Sequence, residues 1–269
     1  MTASNAISSR TAPSGAKPRN AAASSSSTGD RFSLDGASFA VDPRIHAFRS
    51  DIADISLAGR IIAPHYARPL TRACGIREAL LWPDPLAEGE PVSELLPGEA
   101  FAVLEYSGGW AWGYSAADHV VGYVEAIALA EPFEATHIVC EASAPIHPEG
   151  SISSPILARL PMAARLIGHE RGPCLATDAG CVPLCHLRRI GEHEDDPAAV
   201  AERLAGTPSR PGGRTWRGLD CAALVQLAFG LCGVPLPRET DQQKALGEPV
   251  REDEPLERGD LLFSGNHVA

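Results

Sequence analysis

Two residues in the last quarter of the chain have the types and neighbours that nucleophilic catalysis needs. Cys221 follows Asp220 and opens the apolar stretch Ala222–Cys232. That stretch reads as a helix by length and composition, and Gly233 and Pro235 stop it. A thiol in the first turn of a helix lies among unpaired backbone N–H groups at the positive end of the dipole, which favours the thiolate. The thiolate is the nucleophile of a cysteine hydrolase. His267 follows the turn Gly265-Asn266 at the start of a strand. An imidazole facing that helix end can take the thiol proton and later give it to a leaving amine. Taken singly, each residue has a plainer reading. Cys221 is then a small core residue like Cys232, and His267 a surface histidine, one of nine.

Around this pair the sequence predicts the elements that must hold it. Asp196-Pro197 places a capping carboxylate before a proline at the first helical position, so Ala198–Leu204 reads as a helix ending at Gly206. A loop with Pro208, Pro211, Gly212 and Gly213 leads to Leu219. Arg258-Gly259-Asp260 is a turn, and Leu261–Phe263 a buried strand.

Upstream, residues 76–131 read as short strands (Ala79–Trp82, Ala100–Leu104, Trp110–Tyr114, Val120–Val124) punctuated by Pro97-Gly98, Gly108-Gly109 and Asp118-His119. Residues 135–192 repeat that order of turns and strands weakly, with Leu157–Leu160, Ala164–Ile167, Leu175–Thr177 and Gly180–Pro183. Two tandem small β-barrels are expected. Residues 41–75 read as an arm packed on them. Residues 1–40 are rich in Ser, Ala and Gly and read as a disordered leader without the apolar core of a secretory signal.

With 269 residues, Gly 25 and Pro 23, the chain has room for two or three small, turn-rich domains. No apolar run reaches the roughly 18 residues of a membrane span. A net charge of −11, with only Lys17 and Lys244, argues against nucleic acid as a partner. The Cys spacings are irregular and read as reduced thiols of a reducing compartment, with a disulfide framework or a zinc site as the alternatives. No metal and no cofactor is expected.

Three segments together resemble one family. Gly218-Leu219-Asp220-Cys221-Ala222-Ala223-Leu224-Val225-Gln226 is similar to the nucleophile motif of the NlpC-type cell-wall cysteine peptidases. Pro237-Arg238-Glu239-Thr240 with Gln242-Gln243 resembles their P-R-[DST]-[ST]-x-x-Q segment. Arg258–Phe263 with His267 resembles their G-D-L-[VL]-F…H-V strand. Gly109-Trp110-Ala111-Trp112 and Gly122-Tyr123-Val124 look like the hairpin of bacterial SH3-like domains. The resemblance implies an α+β fold: two SH3-like β-barrels followed by a papain-like domain over 196–269 that stops short at the C-terminus. It implies hydrolysis of peptidoglycan stem peptides, commonly between γ-D-glutamate and a diamino acid. Cys221 carries over as nucleophile and His267 as general base and acid. Asp220 and Glu239 carry over as substrate-binding carboxylates for a free amine. Peptidoglycan-derived peptides are the implied partners. A cytoplasmic recycling role suits a leader without an apolar core, and a periplasmic or extracellular site is the alternative if the start codon is misassigned.

The sequence departs from the family in places. Ala222 and Ala223 replace the usual Ser and Gly, Ser209 replaces a tyrosine of T-P-Y-x-[WY]-G-G, and Val120 replaces a tyrosine of the SH3-like hairpin. The polar residue that orients the histidine falls beyond Ala269. The chain as given is therefore expected to be inactive, with unpacked apolar faces on the Cys221 helix. The other readings are a wall-peptide binder that no longer catalyses, and a thiol-dependent amidase or acyltransferase.

Overall fold

The computed structural model describes residues 5–8, 40–75, 77–148, 154–251 and 253–269, the first four as backbone only. Regular structure is mostly strand. Three short helices are described: α1 (Pro197–Glu202), α2 (Cys221–Leu231) and α3 (Thr240–Lys244).

The first β unit is built on a five-stranded antiparallel sheet in the order Leu129–Ala130, Leu70–Cys74, Ala100–Ser107, Trp110–Ser115, Val121–Glu125. Its strands alternate inward and outward residues. Phe101, Val103, Ala111 and Val124 close on Leu81 and Leu95 as one core. Leu70–Cys74 lies on the arm side of the boundary expected at 76, because its alternation of Thr71 and Arg72 with Ala73 and Cys74 is too weak to read as a strand. The rest of the arm is pinned to the barrel through Arg49. Its guanidinium lies 4.4 Å over the Trp112 ring and donates to the Tyr123 hydroxyl (3.0 Å) and to Glu105 (2.6 Å).

The second β unit has its own core of Val139, Ile146, Leu160, Leu175 and Val182. His137–Val139 pairs with Arg165–Leu166 and Leu187–Arg189, and Cys174–Thr177 pairs with His169–Arg171 and Gly180–Pro183. The strand expected over Ala164–Ile167 shrinks to Arg165–Leu166. Cys174 and Cys181 form a disulfide with Cα atoms 5.9 Å apart, which corrects the reduced-thiol reading for these two. A hairpin register that sets Ala176 opposite Cys181 brings them together, and a spacing of seven does not reveal that register.

The C-terminal unit is organised around α2. One face packs on Val200 of α1 and Leu204 just after it, on Leu96 of the first unit and on Cys140 and Met162 of the second. The other face, Val225 and Phe229, packs on Phe263 and Val268. The expectation of unpacked faces is thus corrected: both β units and the strand pair Leu261–Ser264 and His267–Val268 cover the helix. Asn5–Ser8 forms a strand along the free edge of Leu261–Phe263, so the leader is not wholly without structure. Residues 1–4 and 9–39, the rest of the expected disordered leader, lie outside the described residues.

Candidate active site

Asp220 sets where α2 starts. Its backbone is extended (φ −95°, ψ 167°), its carboxylate accepts the N–H of Ala223 at 2.8 Å, and its carbonyl accepts that of Leu224 at 3.0 Å. Cys221 is then the first helical residue, among N–H groups that no helical carbonyl can reach. Its Sγ lies 3.8 Å from Nδ1 of His267 and 4.0 Å from the Asn266 carbonyl. The strand His267–Val268 delivers the histidine. Val268 is buried against α2, and His267, one residue earlier in the same short strand, lies exposed beside the helix start. Cys221 is half-buried and His267 exposed, so the pair is open to a ligand. Among the described residues no side chain bonds the other ring nitrogen of His267.

Beside Cys221 is an open cleft of about 440 Å³, lined by Glu202, Gly206, Ser209, Asp220 and Leu224 among others. Ser209, which stands for the family's tyrosine, lines this cleft, so its small side chain widens it. Val120 does not reach the cleft: its side chain is buried in the first unit's core.

The two expected ammonium-binding carboxylates have different surroundings. Asp220 is gripped by both terminal nitrogens of Arg238, one at 3.0 Å, while Nε of Arg238 donates to the Ser93 hydroxyl at 3.1 Å. Glu239 makes no capping bond on α3. Burial pushes its carboxyl above the usual carboxylate range, and its nearest ion partner is Arg44 of the arm at 3.9 Å. The structure therefore brings Cys221, His267 and Asp220 together and leaves Glu239 on the neighbouring helix.

Sequence reasoning missed a buried polar seam joining the first β unit to this site. Arg214, 5% exposed, donates from both terminal nitrogens to Glu99 (2.7 and 2.9 Å) and also to the Glu94 carbonyl. The Glu94 carboxylate accepts the Arg214 backbone N–H at 2.6 Å and pairs with Arg210. Gln226, on α2, donates to Asp118 at 2.8 Å. Glu94 and Glu99 flanking an apolar Leu95-Leu96 were the available signal, but nothing in the sequence names their partners.

Residues 206–269 match the NlpC/P60 family, and residues 81–129 match the bacterial dipeptidyl-peptidase SH3 domain. The C-terminal unit is an NlpC/P60 domain. The chain is similar to a probable endopeptidase NlpC homolog of Haemophilus influenzae, 43% identical over 74 residues, 26% of this chain and 40% of that one. It is 46% identical over 59 residues to the probable endopeptidase NlpC of Escherichia coli, 22% of this chain and 38% of that one. The chain thus spans about two fifths of these relatives' length. Dipeptidyl-peptidase 6 of Lysinibacillus sphaericus is 26% identical over 220 residues, 71% of this chain and 80% of that one, so the likeness extends through the β units. The solved NlpC/P60 family protein of Bacillus cereus shares the fold, with a TM-score of 0.63 at 14% identity over 74% of this chain and 87% of that one. An SH3 domain followed by an NlpC/P60 domain is the organisation of this chain.

Proposed function

We propose that the protein is a cysteine peptidase acting on peptidoglycan stem peptides, cutting the bond between γ-D-glutamate and a diamino acid. The observation that carries this reading is the 3.8 Å approach of Cys221 Sγ to His267 Nδ1 at the start of α2. His267 takes the thiol proton, and the thiolate adds to the scissile carbonyl. The Cys221 backbone N–H, at the positive end of the helix, is the donor proposed to hold the oxygen that becomes negative. The imidazolium then protonates the leaving amine, and water releases the acyl group by the reverse sequence. Glu239, with no capping bond to make, is the carboxylate better placed to meet a free ammonium. The second β unit is read as another SH3-like barrel that supports the catalytic domain. The cytoplasm is the proposed compartment, whereas a Cys174–Cys181 disulfide is a bond that persists in oxidising compartments; cell fractionation decides between them.

Incubation with defined muropeptides and mass spectrometry of the products tests the activity. Cleavage at the γ-glutamyl bond, abolished by Cys221→Ala, is expected. Intact peptide bound by both proteins would instead favour the non-catalytic binder that Ala222 and Ser209 suggest.

A further inference from the structure

Asp220 was expected to meet substrate, yet its carboxylate is already engaged. One oxygen caps α2 through the Ala223 N–H, and both face the Arg238 guanidinium. Arg238 is 3% exposed and its third bond goes to Ser93, on the strand Ser93–Leu95 of the first β unit. That strand is fixed in turn, because the next residue, Glu94, is held by Arg210 and by the Arg214 backbone. A continuous line of hydrogen bonds therefore runs from the first β unit to the residue before the nucleophile.

We propose that Arg238 is a positioning residue that locks Asp220 to the first β unit and cancels its charge beside the Cys221 thiolate. The physical reason is a conflict at the helix start. The cap that places Cys221 is an anion, and an anion next to a thiol opposes its ionisation. Arg238 keeps the cap and removes the opposition. His267 and the Asn266 carbonyl also face Cys221 from the strand, while Ser209 and Glu202, the latter paired with Arg258 at 2.9 Å, line the cleft beside it. Arg238 is the cation bonded to the cap itself. Its planar fork also fits two carboxylate oxygens and a hydroxyl at once, which a lysine cannot do.

This inference rests on Cys221 being the nucleophile, and its test separates the two claims. Full-length protein is alkylated with iodoacetamide across a pH series, and modification of Cys221 is followed by peptide mass spectrometry. Arg238→Met should raise the midpoint by about one pH unit, a tenfold slower reaction near neutrality. Asp220→Asn, which leaves Arg238 uncancelled and keeps a capping side chain, should lower the midpoint. The double variant should return close to wild type, and Arg238→Lys should stay within a few tenths of a unit of it. A merely structural role would move both single variants the same way, so that result, or no shift in either, overturns the proposal. If Arg238→Met does not fold, the Asp220→Asn and Arg238→Lys outcomes carry the test. A wild-type Cys221 that alkylates no faster than the exposed Cys185 refutes the peptidase reading itself.

Discussion

The two β units are of similar size and strand content, and they meet the C-terminal unit in different ways. Besides the apolar Leu96, the first unit offers it charge and hydrogen bonds, one of them to Gln226 of α2. Ser93, Glu94, Glu99 and Asp118 engage Arg238, Arg210, Arg214 and Gln226. The second unit offers mainly an apolar seat, with Cys140 and Met162 under Ala223, Leu227 and Leu231. Directional bonds fix where a group points, whereas apolar contact stabilises without choosing an orientation. The first unit thus sets the geometry around Cys221, and the second holds the helix down.

Breaking the polar seam should have the largest effect. Glu99→Gln takes the two-pronged counter-ion from buried Arg214, a loss of about 3–5 kcal/mol, measured by urea unfolding. Reactivity of Cys221 should fall in the same variant. Removing the apolar seat sharpens the contrast. Met162→Ala should cost about 2–5 kcal/mol and leave Cys221 alkylation unchanged under conditions where the protein stays folded. Equal effects of both substitutions on Cys221 would erase the distinction.

The smallest effect concerns a charged link between the second unit and the C-terminal unit. Glu194 accepts from Arg188 (2.6 Å) and Arg203 (3.0 Å), and Arg203 also donates to the Cys140 carbonyl. Those hydrogen bonds, Arg188 first, hold its carboxyl down at about 2. A lowered carboxylate stabilises above its unfolded range and loses that contribution on protonation. The stability due to Glu194 should therefore fade from about pH 4.5 down to about 2. Glu194→Gln should flatten that limb of the acid-unfolding curve and leave Cys221 reactivity untouched.

The nucleophile helix, its stop at Gly233, the α1 cap at Asp196 and the strands at 261 and 267 were legible in the sequence. Each depends on local chemistry: a capping side chain, a glycine with positive φ, an apolar alternation. What was illegible depends on contacts far apart in the chain. Arg214 and Glu99 look like ordinary surface charges until the fold buries them together, and Arg238 looks like a motif residue until Asp220 and Ser93 are seen around it. The Cys174–Cys181 bond escaped for the same reason, because it depends on a strand register that sets Ala176 opposite Cys181 and leaves Cys174 diagonal to it. Val120 shows the converse: aligned with a tyrosine of the SH3-like hairpin, it belongs to the core of the first unit.

The proposed activity depends on Cys221 and His267 forming a working thiolate–imidazole pair. Iodoacetamide labelling at neutral pH, resolved by peptide mass spectrometry, tests it directly in the wild type and in His267→Ala. Cys221 should react at least tenfold faster than Cys185 in the wild type and drop to the rate of Cys185 in the variant. A Cys221 that reacts equally fast with and without His267 would contradict it.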